Sequence, residues 1–167
     1  MAELTPRERL QPALLDRLTD DEPNKTVESR EQRVLSLARL REGVIRDLAW
    51  LLNAESMASR QQIGDYPDAI RSVINYGIPA LAGGSSSGHD TEALERQVLE
   101  AIHTFEPRLI RNTISVRCLL TESEMSNNTL KFAIEADLWA HPLPLHLYMH
   151  TEVDLDTGHF TVAQDGP

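Results

Sequence analysis

The sequence predicts an α+β domain in which N-terminal helices are followed by a small, mostly antiparallel sheet. Three observations carry that prediction. Apolar residues recur at helical spacing as far as Phe105, the period switches to two beyond Arg108, and turn-forming residues separate the alternating runs. The length of 167 residues fits about one domain, large enough to bury roughly 68–70% of its unfolded surface. With 41% apolar and 25% charged residues, wholesale disorder and fibrous repeats are not expected. The chain divides into an N-terminal helix with its linker, 1–25, and one α+β domain, 26–167.

The elements follow in order. Leu10, Leu14, Leu15 and Leu18 are spaced as a first helix over 7–18, which Asp20-Asp21-Glu22-Pro23 breaks. Leu37, Leu40, Val44, Ile45, Leu48, Leu51 and Leu52 form a longer stripe that predicts a helix over 37–52. Ser29 with Gln32, or Ser36 for a shorter version, caps its start, and Asn53 stops it. A short helix over 67–74 follows. Gly77 then permits positive φ, and Pro79 holds Ile78 extended. Residues 83–88, Gly-Gly-Ser-Ser-Ser-Gly, read as a loop inside one domain. Asp90 or Thr91 caps a helix with Leu94, Val98, Ile102 and Phe105 on one stripe, ended by Pro107.

From there the pattern is that of strands. Ile110, Ile114, Val116, Cys118 and Leu120 alternate with polar neighbours, and so do Leu130, Phe132, Ile134, Ala136 and Leu138. Leu145, Leu147, Met149 and Val153 mark a third strand. After an Asp156-Thr157-Gly158 turn, Phe160 and Val162 mark a fourth.

The net charge of −10 is uneven: beyond residue 120, Lys131 faces eight acidic residues, a local net of −7. Such a region repels phosphate backbones, so nucleic acid and anionic membranes are poor partners. It suits a basic protein surface, and it also serves solubility. No apolar run approaches the roughly 18 residues of a membrane span. The N-terminus lacks a basic segment followed by an apolar stretch, so no secretory signal is expected and a cytoplasmic setting is. Cys118, the single cysteine, excludes an internal disulfide framework and a multi-cysteine zinc site.

Few residues suggest chemistry. His146 and His150 share one strand face, which permits a metal pair. Their alternation opposite Leu145, Leu147 and Met149 makes a solvated sheet face the better reading. Asp156-Thr157-Gly158 spells an aspartic-protease loop, but that chemistry needs a second carboxylate, and a tight turn explains the tripeptide. No phosphate-binding or dinucleotide glycine motif is present. Neither cofactor nor metal is expected. The sharpest local signal is Phe105-Glu106-Pro107-Arg108-Leu109. Pro107 pushes Glu106 extended, so Glu106 and Arg108 present an acceptor and a forked donor on one side of the helix-to-strand junction. A local ion pair is the competing account.

With those residues in view, the chain resembles the TssE family, baseplate subunits of bacterial type VI secretion systems. That family is similar in turn to the small wedge protein of contractile phage tails, historically labelled lysozyme-like. The matching segments are Leu14-Leu15-Asp16-Arg17-Leu18, Arg46-Asp47-Leu48-Ala49-Trp50-Leu51-Leu52-Asn53, Ser72-Val73-Ile74-Asn75-Tyr76-Gly77-Ile78-Pro79 and Phe105-Glu106-Pro107-Arg108-Leu109. The alternation over 129–139 and the Asp156-Thr157-Gly158 ending also fit.

The resemblance implies a sheath-handshake-like fold and a structural, non-enzymatic role in a contractile injection machine. It implies wedge partners TssF, TssG and TssK, and sheath partners TssB and TssC. It also implies that Glu106, Pro107 and Arg108 dock the domain onto the wedge core. The alternative is a lysozyme-like peptidoglycan hydrolase with Glu106 as its acid. Arg108 alongside would favour the ionised carboxylate, the wrong state for that task.

Overall fold

The computed structural model describes residues 13–19, 23–24, 37–80, 91–119, 129–140 and 144–164. Among these, four α-helices come first: α1 (Leu14–Leu18), α2 (Leu37–Asn53), α3 (Pro67–Ile70) and α4 (Thr91–Phe105). Four strands follow: β1 (Ser115–Leu119), β2 (Thr129–Leu138), β3 (Leu145–Asp154) and β4 (His159–Gln164). They form one antiparallel sheet in the order β1-β2-β3-β4. The α+β class expected from the switch of period is the class observed.

One face of this sheet is the core wall. Leu130, Phe132, Ile134, Ala136 and Leu138 of β2 lie buried beside Leu147, Met149 and Val153 of β3 and Phe160 of β4. Successive strand residues point to opposite faces, so the apolar parity collects there. Two helices cover it. Leu40, Val44, Leu48, Leu51 and Leu52 of α2 and Leu94, Val98, Ala101 and Ile102 of α4 belong to the same cluster. α2 borders β4, while α4 borders β1. The other face carries Lys131, Glu135 and Asp137 of β2 opposite Glu152, Tyr148 and His146 of β3.

Several expectations need correction. The predicted first strand begins five residues late. Arg111–Thr113 is a single 3-10 turn, because Arg111 serves α4 instead. Its Nη2 donates to the His103 carbonyl at 2.8 Å, one of the carbonyls a helix C-terminus leaves unpaired. The β2 ladder survives the detour, since Ile110 N donates to Asp137 O at 2.8 Å and Asp137 N donates to Thr113 Oγ1 at 2.8 Å.

The helix expected over 67–74 is two pieces, α3 and a 3-10 turn over Val73–Asn75 whose N-cap is Ser72. Cys118, on the apolar parity of its strand, is only half-buried, as an edge strand with one neighbour allows. The leucines of α1 stay largely outside the core: Leu14 is 71% exposed and Leu18 74%. The capping residues Ser29, Gln32, Ser36 and Asp90, the loop over 83–88, Leu10, Leu120 and the start of the first helix lie outside the described residues.

Asn53 ends α2, as its sequence position suggests, by an interaction that local reading does not anticipate. Its Nδ2 donates to Ala49 O at 2.8 Å and to Phe160 O at 2.9 Å, while its Oδ1 accepts from Phe160 N at 2.9 Å. The carboxamide thus pairs with β4 as a neighbouring strand residue would. Gly77 meets its expectation too, with φ of 121°. Ile78 N donates to Ala54 O and Ser56 N to Ile78 O, both at 2.9 Å. These bonds bring the chain so close that a Cβ on Gly77 would lie 2.3 Å from the Ala54 carbonyl oxygen.

Gly77→Ala therefore faces both an unfavourable backbone conformation and a backbone clash. We expect it to destabilise the fold by about 1–3 kcal/mol, read as a lower midpoint in urea at unchanged slope. Thr151 points the opposite way. It is 1% exposed, on the core parity of β3, and among the described residues its hydroxyl has no partner. Thr151→Val removes that unsatisfied group at nearly constant shape. A gain of about 1 kcal/mol is expected, visible as a thermal midpoint raised by a few degrees; a lowered midpoint would contradict it.

Candidate functional site

The corner after α4 is built by the residues singled out from the sequence. Glu106 N completes the last helical bond, to Ile102 O at 2.9 Å, and Pro107 then turns the chain away. Trp139 N donates to Arg108 O at 2.8 Å, and Leu109 bridges Leu138. The corner is thus pinned to the end of β2. Glu106 and Arg108 point to the same side, as their spacing predicts. Glu106 Oε1 accepts from Arg108 N at 3.1 Å and from Arg108 Nε at 2.7 Å. Its Oε2 accepts from Arg108 Nη2.

The pair does not stand alone. Arg108 Nη2 also donates to Asp47 Oδ2 of α2 at 2.6 Å. The other oxygen of Asp47 accepts from Arg46 Nε at 2.9 Å, and Arg46 in turn reaches Asp16 of α1. Five charged side chains therefore run in one line from α1 across α2 to the end of α4. Burial penalises the Arg108 charge, but hydrogen bonds and charge from Glu106, then Asp47, outweigh it and hold the guanidinium above its usual range. Glu106 is only 4% exposed, a burial that a carboxylate accepts when such partners satisfy it.

Beside this line lies an open groove of about 440 Å³, whose apolar wall includes Leu15, Trp50, Tyr76, Phe105 and Pro107. Trp50 is 51% exposed, with the Arg46 guanidinium 5.0 Å over its ring. Tyr76 packs edge-on to Phe105 with centroids 5.3 Å apart. Burial raises the Tyr76 phenol above its ordinary pKa, and the charge of Asp47 adds to that. An apolar wall along a paired charge line can hold a protein side chain or helix, and both oxygens of Glu106 are engaged by Arg108.

The tripeptide of Glu106, Pro107 and Arg108 was visible in the sequence, but Asp16, Arg46, Asp47, Trp50 and Tyr76 were not singled out as site residues. They do fall within three of the segments that carry the family resemblance. Those segments, far apart in sequence, meet at this corner together with the fourth. That convergence is a signal that spacing within any one segment does not contain.

The remaining candidates resolve into structure. His146 and His150 face outward; His146 Nδ1 lies 2.8 Å from Asp137 Oδ1, and among the described residues no three potential ligands gather for a metal. Asp156-Thr157-Gly158 is the β3–β4 turn. Asp154 Oδ1 accepts from Asp156 N at 2.8 Å and Thr157 N at 3.2 Å, while Gly158 adopts φ of 72°.

Among the described residues no helix is long and apolar enough to cross a membrane. No curated protein and no solved structure matches the chain significantly. A family model does: that of baseplate wedge protein gp25 matches residues 38–143, well over half of the 167. The match takes in α2, the close approach at Gly77, α4, the Glu106-Pro107-Arg108 corner and β2. The chain belongs to the baseplate wedge protein gp25 family, the family of TssE.

Proposed function

We propose that the chain is the TssE-type subunit of a type VI secretion baseplate, joining the wedge to the first sheath ring and starting sheath polymerisation. Family membership supports a structural baseplate role in a contractile tail. The observation that carries the finer reading is the meeting of four family-like segments at one corner, where a paired charge line borders an apolar groove. In this reading Glu106, Pro107 and Arg108 dock the domain onto the wedge subunits TssF, TssG and TssK. Pro107 and the exposed part of Arg108 meet the partner, and Glu106 acts by holding the guanidinium. The handshake-like sheet then accepts an extended segment of the sheath subunits TssB and TssC by strand addition. The protein works in the cytoplasm without a cofactor and is not an enzyme.

The hydrolase alternative draws no support from the corner. A glycosidase acid must hold a proton near the scissile oxygen, whereas Glu106 accepts from Arg108 through both oxygens. Release of reducing sugar from peptidoglycan by the pure protein, abolished by Glu106→Gln, would reverse this reading. Affinity purification from the native cell tests the proposal directly: wedge and sheath subunits should co-purify, and their absence under gentle conditions would defeat it.

Two variants separate docking from internal support. Arg108→Ala strands a buried Glu106, so a loss of about 3 kcal/mol is expected, the low end for breaking a buried pair because Arg108 keeps some solvent contact. Trp50→Ala removes part of the groove wall and the ring under Arg46 but none of the hydrogen bonds of the charge line. It should leave the melting temperature within a few degrees yet weaken wedge pull-down at least tenfold, as loss of an aromatic anchor does. Unimpaired pull-down would remove the groove from the interface.

A basic partner should feel the acidic outer face of the sheet. Asp154 is committed to its turn, so the informative positions are Glu135 and Glu152, both exposed. Replacing both by glutamine should slow association several-fold at low salt and flatten its salt dependence, because steering weakens as the field is removed or screened. A rate indifferent to both salt and substitution would leave the charge to solubility alone.

A further inference from the structure

Among the described residues the four-stranded antiparallel sheet has two edges, β1 and β4. Each carries backbone groups that another strand could take. At both edges a helix side chain sits on them. On β1, Glu95 Oε1 of α4 accepts from Cys118 N at 2.6 Å. On β4, Asn53 of α2 takes both the N–H and the carbonyl of Phe160, each at 2.9 Å.

The register shows what these contacts block. Antiparallel partners alternate between pairs that exchange backbone bonds and pairs that do not. Phe160 lies opposite Val153 but spends its N–H and carbonyl on Asn53, so these groups point away from β3. Two residues on, Val162 opposite Thr151 has the same parity. The outward groups of β4 are therefore those of Phe160, Val162 and Gln164, and the first set is occupied by a carboxamide that imitates a strand.

We propose that Asn53 is an edge guard: it closes β4 against another strand, a second copy of this chain first of all. The carboxamide suits this better than a carboxylate or hydroxyl, because it alone offers a donor and an acceptor in the geometry of a peptide group. Its anchor to Ala49 O holds it at the helix end. If the sheath is engaged by strand addition at β4, as the functional reading has it, the incoming strand must displace this carboxamide or stop at Val162.

The test compares the parent chain with Asn53→Ala, and with Asn53→Ser should the alanine variant fold poorly. The readouts are amide exchange at Phe160 and self-association in the ultracentrifuge. Exchange at Phe160 should quicken roughly tenfold or more for a lost bond, and the variant should gain a concentration-dependent association that the parent lacks. Adding Val162→Pro removes the next outward N–H at a position where an edge strand tolerates proline, and it should return the variant to the parent's state. A folded variant with faster exchange but no gain in association would overturn the guard, as would an association that Val162→Pro leaves intact. Sheath subunits are absent from these measurements, so they stand apart from the functional reading. If the guard is confirmed while sheath growth from baseplates is unchanged by Asn53→Ala and by Val162→Pro, strand addition at β4 falls and the guard remains.

Discussion

The Arg108 guanidinium lies between two carboxylates that arrive on different helices, Asp47 from α2 and Glu106 from the end of α4. Much else in the fold answers to that arrangement. An arginine fork can satisfy both at once, where a lysine would serve as a single point charge. Glu106 is buried, so its charge is tolerable only while the fork is present. The Arg108 carbonyl receives Trp139 N, which fastens β2 to the junction. Helix, helix and sheet thus share one fixed corner, and the groove beside it takes its shape from side chains that this corner positions.

The sheet has unequal faces and guarded edges, and both follow from its position in the chain. Two long helices precede it and can cover only one face, so the apolar parity of β2 and β3 turns inward and acidic residues with histidines face solvent. The edges are then the exposed liability. α2 and α4 each run along one edge strand, which lets a single side chain from each reach the nearest outward backbone groups. Asn53 and Glu95 occupy those places without adding a strand. An edge strand left without such cover would pair indiscriminately with other strands.

The period of apolar residues determined by itself that helices precede strands, where α2 and α4 run and which parity of each strand faces the core, while residue type marked Gly77 for positive φ and Asp156-Thr157-Gly158 for a turn. These are local consequences of helix and strand geometry and of steric limits on φ, so they are legible without knowing the neighbours. Pro107 likewise announced the end of α4 and set Glu106 and Arg108 on one side. Tertiary structure alone decided the rest. Arg111–Thr113 leaves the strand because the His103 carbonyl needs a donor, a requirement that exists only once α4 has ended beside it. Asp47 and Asp16 join the charge line because α1 and α2 happen to pass the corner, 61 residues separating Asp47 from Arg108 in the chain. Asn53, legible as a helix stop, becomes the partner of Phe160 at a separation of 107 residues. Such contacts depend on where packing places each element, and hydrophobic spacing specifies a buried face without specifying which polar groups meet at its rim.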